Sequence, residues 1–306
     1  MKTAWRLHVL AAVLLLGAVG AQATALPRAL VSDPARDPKY PAHNEALLIR
    51  SGDASMNTVL MQASGAAPKP TLVLLHGLPG NEQNLDLAQA IRRAGWNVLT
   101  LHYRGSWGSA GRFSIANAVQ DAEAAMAYLR RPDVAAKYRI DTSRLAIGGH
   151  SMGGFVAAQY AANHPEVAGL VLLEAWNVGA DGKALRDKPE TREAAVQDIA
   201  GDLGTSLSGS SADGLVDEVL RHADDWDLIS LAPALANTPT LIVGAVAGGG
   251  ESNKALAAAI GKNKGKVSSF TLDSDHAFAD HRLALSGIVV DWLQQRAPAA
   301  KGQAAK

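Results

Sequence analysis

The chain has 306 residues, of which 48% are hydrophobic, 19% charged and 5% aromatic. This apolar content excludes a wholly disordered chain, and the length allows one large α/β domain or two small ones. Lysines and arginines number 29, as do aspartates and glutamates, so no basic excess is available to neutralise nucleic-acid phosphates. The absence of cysteine excludes disulfides, thiolate metal sites, iron–sulfur clusters and a cysteine nucleophile.

The first residues have the pattern of a secretory signal peptide. Lys2 and Arg6 form a positive start, an apolar run covers residues 7–19, and residues 20–23 read GAQA, which is typical of a cleavage site. The run is shorter than the about 20 apolar residues that a transmembrane helix needs. We therefore interpret residues 1–23 as a cleaved signal, which predicts a secreted or periplasmic protein with no membrane span. An uncleaved anchor is the alternative.

Strand and helix patterns alternate along the rest of the chain. Residues 24–45 contain four prolines and are predicted to form an extended leader. Strands are then predicted at residues 46–50, 58–61, 71–75, 96–101, 144–148, 167–173, 239–244 and 267–272. Helices are predicted at residues 85–94, 115–129, 152–162, 255–260 and 283–294. Repeated alternation of this kind predicts an α/β domain over residues 46–296, with a mostly parallel sheet flanked by helices on both faces.

One long connection interrupts this alternation. Residues 178–235 contain helical patterns but no convincing strand pattern, and the Gly- and Ser-rich residues 204–214 are interpreted as flexible. Most connections between elements are far shorter. We therefore predict an inserted, mainly helical cap at about residues 177–235. The tail, residues 297–306, is predicted to be disordered.

A nucleophile motif lies between a predicted strand and a predicted helix. Residues 149–153 read GHSMG, which has the form G-x-S-x-G. Small residues on both sides allow a tight turn that exposes the serine side chain, and the start of the following helix directs N–H groups toward an anion. We predict that Ser151 is a nucleophile.

A glycine-rich loop follows the predicted strand at residues 71–75. Residues 76–80 read HGLPG, and such a loop can present a backbone N–H group toward the serine. We assign the N–H groups of Leu78 and Met152 as a pair that stabilises the oxyanion of a tetrahedral intermediate. His76 is expected to pack and hydrogen-bond beneath the loop.

These motifs together resemble the α/β-hydrolase superfamily. The HGLPG loop, the GHSMG turn and a late Asp275-His276 pair occur in the family's order, and the resemblance covers roughly residues 71–295. The YRGSWG segment at residues 103–108 also resembles a loop of esterase and peptidase members. The resemblance implies an eight-stranded sheet and a catalytic triad in the order Ser, acid, His. It implies that His276 is the general base, which takes the serine proton and returns it to the leaving group.

The acid of the triad departs from the family pattern. The family usually places an aspartate after the strand at residues 239–244, but the segment that follows, residues 245–251, reads AVAGGGE and has no aspartate. The two main candidates are Glu251, and Glu174 at the end of the strand at residues 167–173, a position from which some members take their acid; Asp225 and Asp227 of the predicted cap are further alternatives. A carboxylate that ends a buried strand needs a partner, and a glycine-rich loop holds Glu251 poorly. Glu174 is therefore slightly favoured, and both stay candidates.

The sequence therefore predicts an exported serine hydrolase that cleaves an ester or amide bond of a small-molecule substrate through an acyl-enzyme. Carboxylesterase is the first reaction class. The sequence contains no P-loop, dinucleotide-binding motif or metal-ligand cluster, so no cofactor is expected. Trp107 and Trp176 are candidates to line the substrate site or to pack in the core. The alternatives are a peptidase, and a binding protein that keeps the fold but has lost the acid.

Overall fold

The computed structural model describes residues 26–204 and 206–296. The predicted signal peptide and the predicted C-terminal tail lie outside the described residues. The strands are β1 (His43–Ser51), β2 (Ala54–Gln62), β3 (Lys69–Leu75), β4 (Asn97–Leu101), β5 (Ile140–His150), β6 (Gly169–Leu173), β7 (Thr240–Ala247) and β8 (Val267–Asp275). The helices are α1 (Arg28–Val31), α2 (Leu85–Arg93), α3 (Ile115–Arg130), α4 (Pro132–Tyr138), α5 (Met152–Asn163), α6 (Val178–Asp187), α7 (Arg192–Leu203), α8 (Ala212–Arg221), α9 (Ala232–Leu235), α10 (Gly250–Lys262) and α11 (Arg282–Gln294).

The described strands form one eight-stranded sheet in the order β1-β2-β4-β3-β5-β6-β7-β8. β2 pairs antiparallel with β1 and with β4, and the other neighbours are parallel. The predicted α/β-hydrolase fold, with a mostly parallel eight-stranded sheet, is therefore confirmed. Because parallel strands end at the same edge of the sheet, the loops after β3, β4, β5, β6 and β8 lie together. We call this group of loops the catalytic edge.

Helices cover both faces of the sheet, which is why the central strands are apolar throughout. On one face, Met126 of α3 and Phe155 of α5 pack in one buried cluster. On the other face, Ile91 of α2 and Val289 of α11 belong to a second cluster. Burial on both faces leaves polar side chains of the central strands only at the strand ends, so the catalytic edge is where functional groups can lie.

Two local differences from the prediction have clear physical causes. The leader predicted as extended over residues 24–45 contains α1, which packs against α2 and α11 and buries Ala29, and β1 begins three residues earlier than expected. α4 was not predicted; it begins with a proline, which suits the first helical position, and it buries Val134 and Tyr138. None of the described helices combines the length and the apolar composition that crossing a bilayer requires.

The predicted cap consists of α6 to α9, which lie between β6 and β7 along the chain. The part of residues 204–214 that the structure describes is tied to the loop after β4, in contrast to its interpretation as flexible. Ser208 donates its N–H to the carbonyl of Gly105 (2.7 Å) and accepts from the N–H of Phe113 (2.9 Å), and Trp107 donates its N–H to Ser206 (2.8 Å). These hydrogen bonds connect the cap directly to the catalytic edge.

Candidate active site

Ser151 lies at the turn between β5 and α5 with a strained backbone. Its φ is 55° and its ψ is −120°, a combination that is costly for a residue with a side chain and persists only where the surroundings hold it. Backbone hydrogen bonds hold it here: the Ser151 N–H donates to the Leu173 carbonyl (3.0 Å), and the Ser151 carbonyl accepts from several N–H groups, those of Gly154 and Trp176 at 3.0 Å. The turn therefore presents Ser151 at the catalytic edge.

The glycines of the GHSMG motif allow this turn because side chains would not fit. A Cβ built at Gly149 would overlap with the backbone of Gly153, and one built at Gly153 would overlap with the carbonyl oxygen of Leu75. α5 therefore starts in direct contact with the end of β3, which aligns the helix start with the loop that follows β3.

That loop passes close to the serine. A Cβ built at Gly77 would lie 2.9 Å from the Cβ of Ser151 and 3.4 Å from its Oγ. Leu78 lies next along the loop and lines the same cavity as Ser151. Met152 is the first residue of α5, so its N–H points out of the helix start. The two predicted oxyanion donors thus lie on the two backbone segments that border Ser151.

Three side chains hydrogen-bond to the backbone of the HGLPG loop. Trp107 donates its indole Nε1–H to the carbonyl of Pro79 (2.8 Å), and the Tyr103 hydroxyl donates to the carbonyl of His76 (3.1 Å). The His76 Nδ1 lies 2.7 Å from the Gly77 carbonyl oxygen, and burial lowers the pKa of His76 to about 4, so its ring is neutral near pH 7. His76 lies beneath the loop as expected, whereas the role of Trp107 was not anticipated.

His276 follows β8 and lines the same cavity as Ser151. The ring of His150 lies 4.7 Å from the ring of His276, between centroids, and the Nε2 of His150 donates to the His276 carbonyl (2.7 Å). Burial lowers the pKa of His150 to about 4, so this histidine is a neutral donor at ordinary pH. His150 therefore positions the backbone of His276.

Glu174 ends β6, and its carboxylate is buried against the segment that precedes α10. Its backbone φ is 48° and its side chain is 1% exposed. One carboxylate oxygen accepts from the N–H of Ala245. A Cβ built at Gly248 would lie 2.6 Å from the other oxygen, Oε1, and 3.5 Å from the Cα of His276. Burial raises the pKa of Glu174, and the N–H groups of Ala245 and Gly249 partly offset this rise.

Glu251 has a different environment. It lies in the first turn of α10, its side chain is 89% exposed, and a carboxylate oxygen pairs with the Nζ of Lys254 at 2.7 Å. β7 continues to Ala247, beyond its predicted end, and only Gly248 and Gly249 separate it from α10. This short connection directs Glu251 to solvent, whereas the carboxylate of Glu174 and the backbone of His276 both lie close to Gly248.

A cavity of about 390 Å³ collects these groups. Its lining includes residues 77–80 of the HGLPG loop, the turn that carries Ser151 and the segment after β8, and it extends under the cap to Trp176, Asp198 and Ile199. Trp176 lines this cavity and also packs against the core, which are the two alternatives that the sequence left open. The arrangement can bring a carbonyl carbon to Ser151 while its oxygen faces backbone N–H groups.

Comparison with known proteins supports the fold. A family model for the alpha/beta hydrolase fold matches residues 70–218. A curated relative, the alpha/beta hydrolase domain-containing protein WAV2 of Arabidopsis thaliana, is 33% identical over 107 residues, which are 34% of this chain. The match spans 33% of the length of that relative.

Two solved structures share the fold over most of the chain. A thermostable carboxyl esterase from Bacillus coagulans has a TM-score of 0.60 at 14% identity and covers 82% of this chain and 98% of its own. Est1E from Butyrivibrio proteoclasticus, with ferulic acid bound, has a TM-score of 0.62 at 18% identity and covers 82% of this chain and 99% of its own.

Proposed function

Because the chain belongs to the α/β-hydrolase superfamily, we propose that it is an exported serine hydrolase that cleaves carboxylic esters of small-molecule substrates. The observation that carries the proposal is the arrangement at the catalytic edge: Ser151 and His276 line one cavity, and the buried Glu174 carboxylate and the backbone of His276 both lie close to Gly248. Ester hydrolysis by a serine nucleophile uses a serine, a histidine base and a carboxylate gathered at one site.

The reaction has two halves. The Oγ of Ser151 attacks the ester carbonyl while the imidazole of His276 takes the hydroxyl proton, and the N–H groups of Leu78 and Met152 stabilise the oxyanion. The intermediate collapses, the C–O bond to the alcohol breaks, and His276 returns the proton to the departing alcohol. Water then attacks the acyl-enzyme with His276 again as the base, which releases the acid and restores Ser151.

We assign the triad acid to Glu174 in preference to Glu251. The charge of a carboxylate stabilises the imidazolium that forms when His276 takes the serine proton, and it holds the imidazole in the right tautomer. Glu174 is buried next to the His276 segment, whereas Glu251 is exposed and already paired with Lys254. The burial that raises the pKa of Glu174 also strengthens its interaction with a charged neighbour.

Ester cleavage is favoured over peptide cleavage by the structural relatives. The superposition covers 98% of the carboxyl esterase of Bacillus coagulans, so nearly all of that esterase consists of the fold that it shares with this chain. Export is supported by the composition of residues 1–23. Mass analysis of the protein recovered from the periplasm or the medium would give a chain that begins at Thr24. Recovery of residues 1–23 on that protein would contradict export with cleavage.

Active-site labelling tests the proposal directly. The purified protein and its Ser151→Ala variant are treated with a fluorophosphonate probe, and intact mass is measured. We expect one adduct on the native protein and none on the variant, because the probe reacts with an activated serine. A folded native protein that takes up no adduct would contradict the hydrolase and favour a binding protein that keeps the fold.

A further inference from the structure

A second cavity lies inside the cap, beside the active-site cavity. It has a volume of about 330 Å³, is walled by α6, α7 and α8, and its lining is mostly apolar: Trp176, Ala184, Leu185, Ala195, Ile199, Val216 and Val219. This volume is at the lower end of the range of about 300–1,000 Å³ for ligand pockets. It therefore suits a chain or ring of medium size rather than a long lipid chain.

The cap cavity adjoins the active-site cavity. Trp176, Asp198 and Ile199 line both. Trp176 is held next to the nucleophile, since its backbone N–H donates to the Ser151 carbonyl (3.0 Å) and its indole Nε1–H donates to Asp181 (2.5 Å). A group attached to a carbonyl at Ser151 can therefore extend past Trp176 into the cap.

The carboxylates that line the two cavities make the charge of their walls negative. Asp181 and Asp198 line the cap cavity, Glu82 and Asp198 line the active-site cavity, and among the described residues that line either one there is no lysine or arginine. Glu82 lies 4.0 Å from the guanidinium of Arg282, but Asp198 has no ion-pair partner among the described residues. Asp198 is exposed, so its repulsion of another anion at the junction of the two cavities acts through solvent and depends on ionic strength.

We infer that the cap cavity binds the acyl group of the substrate, and that the substrates are esters of apolar, uncharged carboxylic acids of medium length. The acyl group stays on Ser151 while the alcohol departs and water attacks, so it needs a bound position throughout the reaction. Asp198, at the junction of the two cavities, selects against acyl groups that carry a second carboxylate. The inference rests on the proposed hydrolase function.

A filling variant of the cap cavity tests the size preference. The ratio kcat/KM is measured for p-nitrophenyl esters from acetate to dodecanoate, and we expect hexanoate or octanoate to exceed acetate by at least about tenfold, because added methylenes gain binding in an apolar pocket. Ala195→Trp places a large ring in the cavity and should remove this preference. Ala194→Trp adds the same ring on the exposed side of α7 and should keep the native profile.

The charge preference is tested with a matched pair of substrates. p-Nitrophenyl hexanoate and the p-nitrophenyl monoester of adipic acid have the same chain length and differ in a terminal carboxylate. We expect the anionic ester to be hydrolysed at least about 30-fold more slowly, and Asp198→Asn to narrow this gap at least threefold, with a larger effect at low ionic strength. Asp187→Asn, on the exposed end of α6, should leave the gap unchanged.

The outcomes separate this inference from the proposed function. A protein that takes up the fluorophosphonate on Ser151 but shows a flat chain-length profile would overturn the inference and leave the hydrolase intact. Two further results would overturn the assignment of the cap cavity to the acyl group. One is a chain-length profile that Ala195→Trp does not change, and the other is a kcat/KM that rises with the length of the alcohol in a series of alkyl acetates.

Discussion

The catalytic edge and the cap are held together by different forces. At the catalytic edge, backbone packs against backbone so closely that glycines such as Gly153 and Gly149 have no room for a Cβ, and the ion pair of Arg104 and Asp121 is buried. In the cap, the ion pairs of Arg186 and Arg192 are on the surface, although Lys183 of α6 pairs with the mostly buried Asp227, and its separate core is a small cluster centred on Val216. Close packing positions the reacting groups, and it extends into the start of the cap, where a Cβ at Gly179 of α6 would overlap with the backbone of Asp227. The outer part of the cap around α7 has more room, so its lining can change without disturbing the reacting groups.

The sharpest test of this difference compares two glutamates with contrasting environments. Glu174→Gln keeps the shape of a buried side chain but removes the charge, so we expect kcat to fall by about 10³–10⁴-fold on a p-nitrophenyl ester. Glu251→Gln changes an exposed residue and should leave kcat within about twofold. Equal losses in the two variants, or a loss only with Glu251→Gln, would contradict the assignment of Glu174 as the acid.

The amino-acid sequence alone did not decide which of these two glutamates is the triad acid. Ser151 and His276 were predicted from local patterns. Ser151 lies in a short motif between a strand and a helix, and His276 directly follows the last predicted strand. The choice of the acid depends on how β6, β7 and the start of α10 lie next to one another, and β7 continues to Ala247, past its predicted end. No short sequence pattern indicates how these three elements are arranged in space.

The contact between Trp107 and Pro79 was missed for a related reason. The two residues are far apart in sequence, and their hydrogen bond exists only because the loops after β3 and β4 meet at the catalytic edge. The sheet itself was predictable, since apolar runs and helical spacing are repeated along the chain. The short helices α1 and α4 were not, because their few residues form helices through packing on the rest of the fold rather than through a periodic pattern.

Two ion pairs extend the comparison to stability. Asp121 accepts from the side chain and the backbone N–H of Arg104 (2.6 and 2.7 Å), and both side chains are buried. Asp121→Asn leaves a buried guanidinium without its counter-charge, so we expect the free energy of unfolding to fall by about 3–5 kcal/mol. Asp224→Asn breaks the pair with Arg186 on the cap surface, where solvent screens both charges, and should lower the free energy of unfolding far less.

Urea denaturation of the two variants at neutral pH measures both effects. Because Arg104 begins the segment that carries Trp107, Asp121→Asn should also lower kcat, whereas Asp224→Asn should not. A destabilisation by Asp224→Asn as large as that by Asp121→Asn would show that the cap is as tightly coupled to the fold as the catalytic edge, and would break the comparison.

The buried histidines predict an acid sensitivity of the catalytic edge. The pKa values of His76 and His150 are lowered by burial from 6.5 to about 4, so the unfolded chain binds protons between these values that the folded chain does not. The free energy of unfolding therefore has its highest value above pH 6.5 and decreases as the pH drops toward 4. The decrease is up to about 3 kcal/mol for each histidine.

Denaturation midpoints in urea at several pH values between 7 and 4.5 measure this slope. His150→Gln keeps a side-chain donor that can reach the carbonyl of His276 and removes one titrating group, so its stability should fall less steeply with acid than that of the native protein. The slope is compared rather than the absolute stability, so a uniform loss from the substitution does not affect the test. An unchanged slope would contradict a lowered pKa at His150.

The last comparison, which has opposite signs at its two positions, concerns glycine-to-alanine changes in two helices. A methyl group at Gly153 of α5 overlaps with the Leu75 carbonyl, so Gly153→Ala should lower the free energy of unfolding by about 1–3 kcal/mol and disturb the turn at Ser151. A Cβ at Gly201 of α7 has nothing within 4 Å, so Gly201→Ala should raise it by up to about 1 kcal/mol through helix propensity. Thermal unfolding of both variants decides the sign at each position. A destabilised Gly201→Ala would mean that α7 packs against more of the protein than its open surroundings indicate, and the cap would then have less freedom to vary than its surface ion pairs suggest.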